Sequence, residues 1–372
     1  MKKNNQNLIF FMPFIGIGGV EKNLFNIANF FSSKIHNIYI CTSSIKYKKK
    51  FNNKIKFIYP KIKINENLNI RIKYIICLFL LVRLFLKSRD YVVLSFQANI
   101  YCILICKIFG IKILIRSNSS PEGWYHNKLK KILYKKIVSL ADEVIVNSKD
   151  FKKQMDKKFN LNTKCIYNPL DQINIKKKSK LLLKKNIFKK DTLKIINIGR
   201  ITDQKDQITI IKAINEIKNK IKLQLIIIGR GEKKNFLLEN IKMFKLQKII
   251  KIISPSDKTY KYLNSSELFI LSSKYEGLPN VLLEAIVLKK FVISSNCPTG
   301  PREILLNGRG GFLFEIGNYK KLGEQIIFFS KNKEKCKKKL DISFQSLKRF
   351  DFRFNLNKYL QLTQKYLVTT DK

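Results

Sequence analysis

The segments LKIINIG (193–199) and LQLIIIG (223–229) are near-continuous aliphatic runs, each closed by a glycine. A strand with one wet face alternates apolar and polar residues. These runs do not alternate, so both faces are buried, as in a parallel sheet covered by helices. Similar runs recur at 248–253, 268–271, 291–295 and 311–314, with helical patterns between them. The amino-terminal half repeats the theme at 7–11, 37–41, 91–95, 111–115 and 143–146, with the longest helix expected over 68–87. The expected class is α/β, with two Rossmann-like, doubly wound parallel-sheet domains. Tyr167-Asn168-Pro169-Leu170-Asp171 interrupts the rhythm, and a lysine-rich stretch, 176–190, reads as a solvated helix opening the second domain. The expected domains are 1–170 and 171–345. The aromatic-rich tail 346–372 is expected to form helices that pack back toward the first domain.

Hydrophobic residues make up 45% of the 372, enough for a sizeable core, and global disorder is excluded on that ground. The formal net charge is +48. Such a surface attracts polyanions, either nucleic acid or an anionic membrane leaflet. The joint excess of Lys, Ile and Asn reads equally well as the signature of an AT-rich genome. A nucleic-acid-binding protein is therefore the rival reading, but no basic–aromatic module supports it, and nucleic acid is not expected as a partner. Seven scattered cysteines without a Cys-x-x-Cys, and only His36 and His126, assemble no zinc-ligand set and fit a reducing cytoplasm. Lys2 and Lys3 before an apolar run resemble a signal peptide, but the run feeds a glycine turn and an amphipathic helix, which favours a first strand. The apolar stretch 74–86 contains Arg83 and, at about 13 residues, is too short to span a bilayer. It reads as a core helix or as a helix lying on a membrane surface.

Chemistry concentrates at strand ends. SKYEGLPNVLLEA (273–285) leaves the run 268–271 and enters a helical pattern, with Glu276 on the loop, Glu284 eight positions on, and Pro279 expected in the first helical turn. Carboxylates outside the carboxyl end of a parallel sheet can accept hydrogen bonds from ribose or sugar hydroxyls. Gly199-Arg200 after the first strand of the second domain, with Gln204-Lys205-Asp206 behind it, offers a fork and a point charge to a diphosphate. The alternative is a pair of solvated surface cations. Gly16, Gly18 and Gly19 after the first strand of the chain would let a substrate approach a helix N-terminus, or form a plain tight turn. Gly229-Arg230-Gly231 reads mainly as a structural turn. Arg116, in Arg116-Ser-Asn-Ser-Ser-Pro121, lies at a strand end and reads either as a site residue or as part of a solvated loop.

Taken together, Gly18-Gly19-Val20-Glu21, Gly199-Arg200 with Gln204-Lys205-Asp206, Asn147-Ser148, Tyr167-Asn168-Pro169 and Glu276-Gly277-Leu278-Pro279 through Glu284-Ala285 resemble glycosyltransferase family 4, the retaining group on the GT-B fold. Cys297-Pro-Thr-Gly-Pro-Arg-Glu303 and the segment from Arg116 resemble bacterial members that build lipid-linked or surface polysaccharides.

The resemblance implies two domains facing a cleft and a glycosyltransferase, hexosyl- or N-acetylhexosaminyl-transferring, acting with retention. Its donor would be a nucleotide sugar, a UDP-sugar by preference, and its acceptor a lipid-linked glycan or envelope glycolipid. It implies that Arg200 and Lys205 grip the donor diphosphate beside Gly199, and that Glu284 takes the ribose. Glu276 would take the transferred sugar, with the backbone at Gly277 and Leu278 assisting. Gly18 and Gly19, with Arg116, would form the acceptor or phosphate loop. No metal or other cofactor is implied. The expected place is the cytoplasm, peripheral on the inner face of the cell membrane, with a basic face of the first domain, made of the apolar 74–86 helix and lysines such as Lys46, Lys48–Lys50, Lys54 and Lys56, against anionic lipid. A GT-B nucleotide-sugar epimerase is the nearer alternative, and would need an acid/base group such as His126. The chain departs from the family at Lys289, where a helix-ending glycine is usual, and at Ser254-Pro255.

Overall fold

The protein is described by a computed structural model covering residues 7–16, 18–62, 64–65, 68–118, 128–180 and 187–367. It forms two compact units, Met1–Pro169 with Phe352–Lys372, and Leu170–Asp351.

The first unit runs β1 (Asn7–Phe11), α1 (Gly19–Phe31), β2 (Asn37–Cys41), β3 (Lys56–Ile58), α2 (Ile70–Phe85), β4 (Val92–Ser95), α3 (Asn99–Ile108), β5 (Lys112–Arg116), α4 (Lys128–Val138), β6 (Glu143–Val146), α5 (Lys149–Phe159) and β7 (Lys164–Cys165). The strands form one parallel sheet in the order β3-β2-β1-β4-β5-β6-β7. Successive residues of β1 point to opposite faces, Leu8 and Phe10 into one core, Ile9 and Phe11 into the other. That is the physical reason the run has no polar positions.

The second unit runs α6 (Gln172–Ser179), β8 (Leu193–Ile198), α7 (Gln207–Ile217), β9 (Leu223–Ile228), α8 (Lys234–Met243), β10 (Ile250–Ile253), α9 (Thr259–Asn264), β11 (Leu268–Leu271), α10 (Asn280–Val287), β12 (Phe291–Ser295), α11 (Pro301–Ile304), β13 (Phe312–Phe314), α12 (Tyr319–Lys331) and α13 (Lys333–Gln345). Its parallel sheet has the order β10-β9-β8-β11-β12-β13. In both sheets the strand order reverses beside the first strand, at β1/β4 and at β8/β11. These are the topological switch points where open α/β sheets bind ligands.

The chain then returns to the first unit as α14 (Phe352–Leu367), whose Leu356, Tyr359 and Leu360 join the core on the α1 face. Where the chain enters and leaves the second unit, Leu170 donates its N–H to the Phe350 carbonyl at 3.0 Å and bridges Asp351.

Three local expectations change. The lysine-rich helix is shorter, since α6 ends at Ser179, and 181–186 lie outside the described residues. Pro279 precedes α10 in an extended conformation (φ −70°, ψ 103°) instead of opening its first turn. The end of α10, without its usual glycine, is still closed: Lys289 adopts φ +53°, the Lys290 N–H reaches the Ala285 carbonyl at 2.9 Å, and the Lys289 N–H reaches that of Ile286 at 2.9 Å. This is a Schellman closure with a lysine in the left-handed position.

Candidate functional site

The carboxyl ends of β8 and β11 carry the residues singled out in the second unit. Past β8 the chain turns through Gly199 and Arg200 into a short helical turn at Asp203–Lys205, then enters α7. This turn lies against the neighbouring β9 loop, where a Cβ on Gly229 would stand 2.2 Å from the Gly199 carbonyl oxygen. Only glycine fits that approach, so the Gly229 turn is structural.

The 199–207 turn is fastened to the loop after β11. The Ser272 hydroxyl donates to the Lys205 carbonyl at 2.8 Å, Gln204 Nε2 to the Tyr275 carbonyl at 2.8 Å, and the Lys274 N–H to the Gln204 carbonyl at 2.8 Å. The fastening brings the Lys205 ammonium onto Glu276 Oε1 as a hydrogen-bonded ion pair largely removed from water, the side chains being 14% and 8% exposed. The Ser273 hydroxyl donates to the same carboxylate oxygen at 2.6 Å. The aliphatic part of Lys205 runs past Gly199. Arg200 is exposed, at the mouth of the same turn, with one guanidinium nitrogen 3.1 Å from Gln204 Oε1.

The Glu276 backbone is clamped from the β12–α11 loop. Its N–H donates to the Pro298 carbonyl at 2.7 Å, and the Thr299 hydroxyl donates to the Gly277 carbonyl at 2.9 Å. Gly300, at φ +90°, could not carry a side chain, since a Cβ would come within 2.4 Å of that same carbonyl oxygen. Leu278 is buried beneath the loop. Burial, and then the Glu276 carboxylate, push the neighbouring Cys297 thiol up to about 12. Glu284, on the first turns of α10, is buried and accepts from the Tyr260 hydroxyl of α9 at 3.1 Å.

So Lys205, Glu276, Gly199 and Arg200 converge at the β8/β11 switch point. Glu284 belongs to the helix that leaves it and faces α9. Ser273, Tyr260, Thr299 and Gln204 complete the arrangement. Ser273 and Thr299 lie within the motif segments but have no role that the sequence alone reveals, and Tyr260 carries no sequence signal.

The residues expected on an acceptor loop lie in the first unit. Gly18 is the N-cap of α1 and Gly19 its first residue. The Glu21 carboxylate folds back over this turn, accepting from the Gly16 N–H at 3.3 Å. Arg116, the last residue of β5, is not part of a solvated loop. It is 1% exposed, and donates to Tyr359 Oη at 2.9 Å, to Asn168 Oδ1 at 2.5 Å and to Asn118 Oδ1, with its guanidinium over the Phe96 ring. No carboxylate pairs with it among the described residues. The buried charge is held by neutral oxygens and a ring face, tying β5 to the chain at 168 and to α14. The segment 119–127, including His126, lies outside the described residues. Among the described residues, no group of three His, Cys, Asp or Glu side chains is arranged to hold a metal ion.

A doubly wound pair with charged residues at a switch point is the class of fold that binds nucleotides, and comparison with known proteins narrows it. The crystal structure of Anabaena HepE in complex with UDP and glucose superposes with a TM-score of 0.78 over 97% of this chain and 100% of that one, at 16% identity. The fold is GT-B, that of solved glycosyltransferases. Residues 178–340 match the family described as Glycosyl transferases group 1. Over 219 residues, 55% of this chain and 53% of the relative, the sequence is 37% identical to an uncharacterized glycosyltransferase of Methanocaldococcus jannaschii. Over 228 residues, 59% of this chain and 60% of the relative, it is 29% identical to the N-acetylgalactosamine-N,N'-diacetylbacillosaminyl-diphospho-undecaprenol 4-alpha-N-acetylgalactosaminyltransferase of Campylobacter jejuni. The chain thus spans a little over half the length of these curated relatives.

Proposed function

We propose that the protein is a glycosyltransferase of the family 4 type, moving a sugar from a nucleotide-sugar donor, a UDP-sugar by preference, to a lipid-linked glycan with retention of configuration. The observation that carries this reading is the Lys205–Glu276 pair at the β8/β11 switch point, within the stretch that matches the glycosyl transferase family. UDP is named in the matched Anabaena complex, and a diphospho-undecaprenol acceptor in the Campylobacter relative.

In this mechanism Arg200 and Lys205 bind the donor diphosphate and stabilise the charge that grows on it as the glycosidic bond breaks. The diphosphate competes with Glu276 for the Lys205 ammonium. Glu276, still held by Ser273, is then free to accept hydrogen bonds from hydroxyls of the transferred sugar. Glu284, oriented by Tyr260, accepts from the ribose hydroxyls. The Thr299 clamp sets the backbone at Gly277 and Leu278 beside the diphosphate. The two cations supply the charge a metal would otherwise supply, so the reaction is proposed to need none. The acceptor hydroxyl attacks the face the diphosphate leaves, and its proton passes to a donor phosphate oxygen.

The place of action is proposed to be the cytoplasmic face of the cell membrane, peripherally. No helix among the described residues is long and apolar enough to cross a membrane.

The test is a panel of nucleotide sugars, screened by thermal shift and by slow donor hydrolysis without acceptor, followed by transfer to a polyprenyl-diphosphate glycan. One nucleotide sugar is expected to raise the melting temperature and to be hydrolysed. A panel with no stabiliser and no hydrolysis would remove the reading.

A further inference from the structure

We infer that the outer face of α2, α3 and α4 is the surface by which this protein docks on an anionic lipid bilayer. The inference deepens the peripheral-membrane part of the proposal above and is independent of glycosyl transfer.

These three helices lie side by side on one face of the first sheet, α3 touching both others. Each is apolar twice over. Helix α2 buries Cys77, Leu81 and Phe85, a stripe at every fourth residue, in the core. Its opposite stripe points Ile72, Ile75 and Phe79 to solvent, the last two 65% and 67% exposed. Helix α3 buries Cys102, Ile103 and Cys106 while Leu104 and Ile108 face outward, Ile108 being 78% exposed. Leu133 does the same on α4. Of the 22 exposed large hydrophobic residues among those described, 11 lie on these helices or just past their ends. A solvated helix has no use for a second apolar stripe; scattered single exposures would need no explanation, but a set gathered on three adjoining helices does.

Charge decides the occupant. By sequence the three helices carry nine lysines and arginines and no carboxylate. Arg71, Arg83, Lys130, Lys135 and Lys136 are exposed around the apolar stripes. A second copy of the chain would bring the same cations against them, and a self-complementary interface cannot relieve that repulsion. Nucleic acid would meet the cations but not the isoleucine and phenylalanine tips. An anionic bilayer satisfies both, with tips in the acyl boundary and cations at the headgroups.

Of the face expected to dock, the 74–86 helix lies on this surface as part of α2, whereas the lysine segment 46–56 does not. Lys48 and Lys50 stand over Phe57 and Phe25, rings that pack against the core on the α1 face. The docking helices, in contrast, follow the carboxyl ends of β3, β4 and β5, so one edge of the surface adjoins the loops where a lipid-borne acceptor would be offered.

The experiment is flotation of the full chain with vesicles of phosphatidylcholine alone or with phosphatidylglycerol, over a salt series. Wild type is expected to float with the anionic vesicles only, and less as salt rises. The triple substitution Ile75→Ser, Phe79→Ser, Ile108→Ser is expected to cut the bound fraction about tenfold or more, with donor hydrolysis in solution unchanged. Hydrogen exchange of the wild type needs no variant, and should show vesicle-dependent protection confined to 70–86, 99–108 and 130–140. Equal binding to neutral vesicles, no binding at all, undiminished binding by the triple variant, or protection elsewhere would each overturn the assignment. So would a dimer that the triple substitution dissociates. Failure of donor hydrolysis with intact flotation would instead remove the enzymatic reading and leave this one standing.

Discussion

Lys205 and Glu276 hold each other almost out of water, so each substitution there changes two things at once. Removing the ammonium takes away a diphosphate ligand and leaves a buried carboxylate that still accepts from the Ser273 hydroxyl. Lys205→Ala is therefore expected to cost about 1–3 kcal/mol of stability, below the full value for a wholly buried pair because some solvent screens it. It should also lower donor turnover by about tenfold or more. Arg200→Ala should show the kinetic loss without the stability loss, because Arg200 is exposed. Urea denaturation beside donor kinetics separates them, and unchanged donor kinetics in both variants would count against the diphosphate assignment.

Glu276→Gln still offers an oxygen to Lys205 and Ser273, so stability should fall by about 1 kcal/mol or less. Turnover should fall by on the order of 100-fold. If the variant simply unfolds, Glu276 is structural. The buried Cys297 gives an independent probe of this loop: with its thiol pushed up to about 12, it carries almost no thiolate at pH 8. Mass mapping after brief iodoacetamide treatment should find Cys165, the one half-buried cysteine, labelled ahead of Cys297. At this scale the sequence was legible for Glu276, Lys205 and Arg200, because glycine turns at strand ends announce a site. It was not legible for Arg116, whose partner Tyr359 lies 243 positions away. A strand-end arginine reads as solvated until the element that covers it is known.

Among elements, the strands were readable in proportion to their burial. Central runs such as β8 and β9 stand out because both faces are dry. The two edge strands of the first sheet, β3 and β7, were missed: they are three and two residues long, begin with exposed lysines and bury little. Short, charged edges are how sheets avoid pairing with other chains, and the same features hide them from a search for apolar runs. The end of α10 was in doubt for want of a glycine, yet its backbone closure formed with Lys289 at an expense of roughly 1 kcal/mol in conformational strain.

Asp142 shows how one side chain joins elements. Its carboxylate accepts from Lys107 of α3 at 2.7 Å, from Lys112 at 3.1 Å and from the Ile113 N–H of β5 at 2.9 Å. Burial pushes its pKa up, but these three donors outweigh it and hold the group below the usual carboxylate range. A folded-state pKa below the unfolded one stabilises above the unfolded value, near 3.9, and the contribution is lost as pH falls through the folded value. Asp142→Asn is accordingly expected to destabilise at pH 7, by about 1 kcal/mol given the partial exposure of both lysines, and to destabilise progressively less as pH falls below the unfolded value. A difference that persists undiminished at pH 2 would mean the charge is irrelevant.

On the scale of the whole molecule, the two sheets share one winding order, and the repeat of aliphatic runs along the chain foretold both. What no run foretold is how far the first unit depends on the far end of the sequence. Tyr359 supplies the hydroxyl that receives Arg116 Nε, and Tyr366 donates to the Glu143 carboxylate at 2.9 Å. Tyr359→Phe keeps the ring and deletes the acceptor, leaving a buried guanidinium nitrogen unmatched. A loss of about 1–3 kcal/mol in urea denaturation is expected, and a variant as stable as wild type would show that the guanidinium finds another partner.

The return of α14 to the first unit also orders events during synthesis. As residues emerge from the ribosome, the first sheet lacks part of the core on its α1 face until α14 is out, while Leu170–Asp351 is already continuous. The usual sequence, in which the domain made first is finished first, is inverted. A released chain truncated after residue 351 should hold a protease-resistant second unit behind an incomplete, protease-sensitive first one.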